Sequence, residues 1–197
     1  MRLFVALDID ADIRARIATF RDQMRPLASD ARWVSPESFH VTLQFLGETK
    51  KLAEIQNALR LMKESPITLT FRNAGFFPTP RSPRVFWVGM EADEHLQDVV
   101  NAIGGALDPL GFERETRPFK PHLTLARAES GGRRAVRHER SAPGWQQLRA
   151  RVETLTPLEF GTMTAREFYL YESKLSPKGA HYTKLSRYAL GELAPQP

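Results

Sequence analysis

The sequence predicts an α+β fold, a bilobal and pseudo-symmetric domain in which each lobe is a mainly antiparallel sheet with outer helices and an active-site cleft lies between the lobes. Three observations predict it. Strand-like alternation and helical stripes follow one another as strand-helix-strand-strand about twice along the 197 residues. One tetrapeptide pattern occurs twice, as His40-Val41-Thr42-Leu43 and His122-Leu123-Thr124-Leu125. No linker or low-complexity stretch divides the chain, so residues 1–197 read as a single bilobal domain.

The elements follow in order. Residues 2–8 read as a buried strand. Asp10 is placed to cap a helix whose apolar stripe is Ile13, Ile17, Phe20 and Met24, ending near Pro26. A short strand at 31–34 precedes Ser35-Pro36-Glu37-Ser38, a single turn with proline at its first position. The first signature strand covers about 39–46 and stops at Gly47, and a helix with Leu52, Ile55, Leu59 and Met62 on one side follows. Strands at 67–72 and 84–90 are separated by Gly75-Phe76-Phe77-Pro78 and a proline-rich turn through Pro83. A third helix carries Leu96, Val99, Val100, Ile103 and Leu107, with Gly111 as its stop and Gly104-Gly105 reading as close packing on a sheet. The second signature strand covers about 119–127, and the basic, glycine-bearing stretch 129–141 reads as a mobile surface loop. Trp145, Leu148 and Val152 mark a fourth helix, and strands near 158–163, 166–173 and 182–190 finish the chain. Central placement of both signature strands would put their histidines in the cleft.

Composition narrows the function classes. Hydrophobic residues make up 42% and aromatics 10%, as in a globular rather than a disordered protein. The absence of cysteine excludes disulfides and thiolate metal sites and fits a cytoplasmic protein. No segment is long and apolar enough to span a bilayer, and the opening Met1-Arg2-Leu3-Phe4-Val5-Ala6 lacks the features of a signal peptide. The net charge of +5 favours polyanionic partners such as RNA through phosphate attraction.

Each signature places its His and Thr on one strand face and its aliphatic pair on the other. Composition alone yields two such patterns in roughly a few chains per thousand, so chance explains them poorly. A pair of core histidines is the ordinary alternative. Histidine titrates near neutral pH, so two facing imidazoles can divide acid and base duties, and two threonine hydroxyls can cradle the oxygens of a phosphate. No Asp, Glu or third His stands at ligand spacing from either signature, so no metal is expected. Phe45 comes three residues after Thr42, so a regular strand puts it on the opposite, core-facing side; a bulge near Gln44 would return it to the threonine face. Arg127 is either a ligand group or a solvated strand end. His95, His138 and His181 read as structural or solvated, Trp33, Trp87 and Trp145 as core, and Arg133, Arg134, Arg137 and Arg140 as either steering RNA or solubilising a loop.

These residues resemble the two-histidine (2H) phosphoesterase superfamily, and within it the LigT-like RNA 2′,3′-cyclic phosphodiesterases. The resemblance extends over nearly the whole chain. It takes in Arg2-Leu3-Phe4-Val5-Ala6-Leu7, Arg32-Trp33-Val34, Phe39 through Gly47, Gly75-Phe76-Phe77-Pro78 and Arg84-Val85-Phe86-Trp87. It continues through Arg117-Pro118-Phe119-Lys120-Pro121 to Arg127, and closes with Leu170 to Ser173 and Gly179 to Tyr182. It implies cofactor-free hydrolysis of an RNA terminal 2′,3′-cyclic phosphate to a 2′-phosphate; a small cyclic nucleotide is the other expected partner, and the chain is expected to be a monomer. His40 is then the proton donor to the leaving 3′-oxygen, and His122 the base that activates water. Thr42 and Thr124 bind phosphate oxygens, Arg127 lies near the ligand and Phe45 lies against the base. Two rival functions use the same residues: a 2′-5′ RNA ligase running the site in reverse, and a binding module that holds an RNA end or nucleotide without turnover.

Overall fold

The computed structural model describes residues 1–114, 119–128, 143–155, 157–176 and 179–191. Strand β1 (Arg2–Leu7) is buried on both faces. Leu3, Val5 and Leu7 point into the main core, while Phe4 and Ala6 join Tyr171 in a small separate cluster on the other side. Helix α1 (Ala11–Met24) buries the expected stripe of Ile13, Ile17, Phe20 and Met24. Asp10 takes the N-cap position without a side-chain cap bond, and a 3₁₀ turn (Arg25–Ala28) absorbs Pro26. Then come β2 (Arg32–Trp33), a 3₁₀ turn at Pro36–Ser38, β3 (Val41–Glu48) and α2 (Leu52–Arg60).

Strands β4 (Ile67–Thr79) and β5 (Ser82–Ala92) form one long hairpin, which corrects the expected break at Gly75-Phe76-Phe77-Pro78. The prolines that suggested a break, Pro78 and Pro83, face each other beside the hairpin tip, where the ladder has few bonds left to lose. Gly75 is required within the strand: the Trp87 ring crosses it so closely that a Cβ would come within 2.5 Å of ring carbons. Helix α3 (His95–Leu107), β6 (His122–Arg127), α4 (Pro143–Leu155), β7 (Glu159–Ala165), β8 (Glu167–Ser176) and β9 (Gly179–Ala189) complete the described elements. Gly104 and Gly105 of α3 accommodate the Arg114 side chain rather than a sheet. The loop expected over 129–141 lies outside the described residues.

The strands form two antiparallel sheets, sheet A in the order β3-β1-β8-β9 and sheet B in the order β2-β6-β5-β4-β7. The signature strands are therefore not central. β3 is an edge of sheet A, and β6 is separated from the edge of sheet B only by the two-residue β2. This serves the cleft better than central placement, because the two sheets meet along β3 and β6. Nor do the sheets correspond to halves of the sequence. Sheet A joins β1 and β3 to β8 and β9, and the helices cross over in the same way. Helix α1 packs on β7 of sheet B, with Arg16 Nη1 donating to the Phe160 carbonyl at 3.2 Å. Helix α2 approaches β9 of sheet A, where Gln56 Nε2 donates to Ser186 Oγ at 2.7 Å. One continuous apolar core underlies both sheets, and fully buried Phe71, Phe86 and Phe168 each contribute about 1.5–3 kcal/mol to it. Among the described residues, no helix is long and apolar enough to cross a membrane.

Candidate active site

Both signatures contain the same local irregularity. Along β1, Ala6 pairs with Thr42, Val5 with Gln44 and Phe4 with Phe45, so Leu43 is an extra residue with no partner. Along β5, Trp87 pairs with Thr124, Phe86 with Ala126 and Val85 with Arg127, so Leu125 is the extra residue. A bulge shifts the alternation by one. It turns the third residue after each threonine onto the threonine's own face, Phe45 in one sheet and Arg127 in the other. The regular-strand expectation of a core-facing Phe45 is thereby corrected. Phe45 is 68% exposed, and its ring centroid lies 6.2 Å from that of Phe4 on the cleft side of sheet A. Leu43 and Leu125 stay buried, anchoring the bulges in the core.

The two histidines are held alike. His40 Nδ1 lies 2.7 Å from the Ser38 carbonyl, and His122 Nδ1 lies 2.8 Å from the Lys120 carbonyl. A carbonyl can only accept, so Nδ1 carries the hydrogen in each ring and Nε2 is left to exchange a proton with a ligand. Aromatic rings wall both imidazoles. His40 lies 4.8 Å from Phe4 and edge-on to Tyr182 at 5.1 Å, and His122 is edge-on to Phe77 at 5.0 Å. Burial pushes His40 down to about 4, against the opposing effect of its bond to Ser38, and it lowers His122 in the same way. The positive charge of Arg127 lowers both imidazoles further. One guanidinium thus acts on both rings, which brings the two signatures into a single electrostatic site. Arg127 also leans on its own motif, with Nη2 3.5 Å from Thr124 Oγ1.

The segment before His40 is clamped from α1. Arg14 donates through Nη1 to the Pro36 and Phe39 carbonyls at 2.5 and 3.3 Å, and through Nη2 to Asp8 Oδ1 at 2.5 Å. Gln44, on the face of β3 opposite Thr42 and Phe45, donates to the Glu113 carbonyl at 3.4 Å. Among the described residues, no group of three or more His, Asp or Glu side chains could hold a metal ion.

All six candidates, His40, Thr42, Phe45, His122, Thr124 and Arg127, thus face the cleft between the sheets. Several neighbours were not singled out from sequence. Trp87 is not core: its pairing with Thr124 and its contact with Phe77 at 5.0 Å place it on the cleft floor of sheet B. Phe4 had a visible signal, since it alternates with Leu3 and Val5 on the opposite face. Tyr171 and Tyr182 come from distant strands, and although both fall in the stretches on which the resemblance closes, no spacing tied them to the histidines. Of the remaining histidines, His95 pairs with Asp98 at 3.9 Å, His181 lines a recess beside His40, and His138 lies outside the described residues. Trp145 is core as expected, and Trp33 is half-buried with Nε1 donating to the Ala28 carbonyl at 2.8 Å.

Comparison with known proteins places this geometry. Residues 7–87 match the family model described as LigT like phosphoesterase. An RNA 2′,3′-cyclic phosphodiesterase of Archaeoglobus fulgidus is 36% identical over 94% of this chain and 98% of its own length. Another, from Methanothermobacter thermautotrophicus, is 31% identical over 96% of this chain and 99% of its own. Among solved structures, E. coli LigT complexed with 3′-AMP superposes with a TM-score of 0.74 at 29% identity, covering 97% of this chain and 98% of that one. TT0787 of Thermus thermophilus gives 0.76 at 27% identity, covering 96% and 98%.

Proposed function

This chain belongs to the LigT-like phosphoesterase family, and from that premise we infer that it is an RNA 2′,3′-cyclic phosphodiesterase working through paired histidines without a metal. The observation that carries the reading is the matched pair of bulged signatures, each presenting one His and one Thr to a common cleft.

The chemistry runs as an in-line displacement at phosphorus. His122 Nε2 takes a proton from water as the water oxygen bonds to phosphorus. The bond from phosphorus to O3′ breaks, and His40 Nε2–H gives O3′ its proton. The product carries a 2′-phosphate and a free 3′-hydroxyl, and transfer of one proton from His122 to His40 through solvent restores the starting state. Thr42 and Thr124 donate to the non-bridging oxygens, and Arg127 offsets the charge that builds on them in the transition state. The exposed Phe45 ring gives the terminal base a surface to lie on.

The direct test is incubation of an oligonucleotide ending in a 2′,3′-cyclic phosphate with the purified protein in EDTA. Conversion to the 2′-phosphate is expected; no turnover, or turnover only with added metal, refutes the reading. Phe45→Ala is expected to raise KM between about fivefold and a hundredfold while changing kcat less, since stacking one base on an aromatic ring contributes about 1–3 kcal/mol. An unchanged KM in steady-state assays would remove Phe45 from the site.

A further inference from the structure

Beside His40, sheet A carries a recess of about 400 Å³. Tyr171 and Tyr182 form its floor, and Thr183 and Lys184 bound it on β9, the strand farthest from β3 in that sheet. His122, Thr124 and Arg127 do not line it. The recess is therefore bounded by sheet A and the segment before His40, although the charge of Arg127 reaches both His40 and Tyr182 in its lining. Its charged lining residues are Asp8, Glu37, Arg14 and Lys184, two of each sign. Three of the four are already engaged with one another, because Arg14 and Lys184 both bond the Asp8 carboxylate. A cavity with no surplus charge, an aromatic floor and hydroxyls at its rim suits an uncharged base and ribose better than another phosphate.

The proposed reaction directs the substrate toward this side. O2′ and O3′ belong to one ribose, and O3′ departs toward His40 while water enters beside His122. The terminal ribose, and the RNA attached to its 5′-oxygen, thus lie on the His40 side of phosphorus. Phe4 lies between the two, its ring 4.8 Å from His40 and 6.2 Å from Phe45, and Phe45 does not line the recess, so a terminal base resting on Phe45 leaves the recess vacant for the next residue along the chain. We infer that the recess beside His40 binds the nucleoside preceding the terminal one, so that the enzyme favours an oligonucleotide end over a mononucleoside 2′,3′-cyclic phosphate. This inference rests on the activity proposed above and specifies the substrate class for it.

The experiment compares kcat/KM for adenylyl-(3′→5′)-adenosine 2′,3′-cyclic phosphate with that for adenosine 2′,3′-cyclic phosphate, at low and at high salt. The dinucleotide is expected to be favoured at least about fivefold, the low end of what one stacked base contributes. The preference should survive high salt, because it comes from the nucleoside and not from the extra phosphate. Tyr182→Leu, which takes one ring from the floor, should bring the ratio, measured on the same variant, to within about twofold of one, and Glu37→Ala should lower it. A ratio near one in the wild type overturns the inference, as does a preference that salt abolishes or one that both variants retain. Hydrolysis of neither substrate would instead overturn the proposed activity itself.

Discussion

Replacing His40 or His122 with alanine is expected to lower kcat/KM on a cyclic-ended oligonucleotide by at least about two orders of magnitude, the usual contribution of a positioned acid or base. The double variant should fall little below the weaker single one, because the two imidazoles act in one step and their effects do not add. The roles are separable by leaving group. A phosphodiester that releases a nitrophenolate needs no proton at the departing oxygen. His40→Ala should recover much of its loss on such a substrate, while His122→Ala, lacking the base, should not. Equal recovery in both variants would refute the assignment of His40 as acid. Thermal melts should show both variants folded, since the side chains removed line the cleft and not the main core.

The second large effect is in the pH dependence. Burial lowers both histidines in the empty cleft, His40 to about 4, so both are neutral at pH 7. The reaction needs one proton on the pair, and kcat/KM reports the free enzyme. The singly protonated pair is most abundant below the ordinary histidine value of about 6.5, so kcat/KM should decline about tenfold per pH unit above that range. A bound phosphodiester brings negative charge to the two Nε2 atoms and raises their proton affinity. The basic limb of kcat should therefore lie at higher pH than that of kcat/KM. Arg127→Gln removes a cation that lowers both rings and should move the kcat/KM limb upward. Superimposable kcat and kcat/KM profiles, or profiles flat from pH 5 to 9, would contradict the paired mechanism.

How far the sequence discloses this site depends on which part of it is local. His40, Thr42, His122 and Thr124 were legible because a two-residue spacing on a strand dictates a shared face. The α1 stripe was legible for the same kind of reason. The face of Phe45 stayed open between core and ligand because a bulge is a property of two strands in register, and only the pairing with β1 reveals that Leu43 has no partner. The matching bulge at Leu125 puts Arg127 beside Thr124, a relation that spacing alone left open. Trp87 was assigned to the core because its neighbours Phe86 and Val88 belong there; the alternation of β5 turns it toward the cleft instead. The long β4–β5 hairpin was read as two short strands because Gly75, Pro78 and Pro83 look like punctuation. Their actual roles, making room for an indole and ending a ladder, become visible only once the opposite strand is known.

The distribution of strands between the sheets also orders events during synthesis. Val5 pairs with Leu170, so β1 emerges from the ribosome long before its neighbour in sheet A. Such distant pairings slow folding, and a nascent chain grows from its N-terminus. Until β8 has been synthesised, Phe4 lacks Tyr171, the ring it stacks against at 5.0 Å, and one side of the His40 wall is missing. Nascent chains arrested before β8 should hold both His-x-Thr segments and yet be inert, with competence arriving only when the β8–β9 hairpin closes.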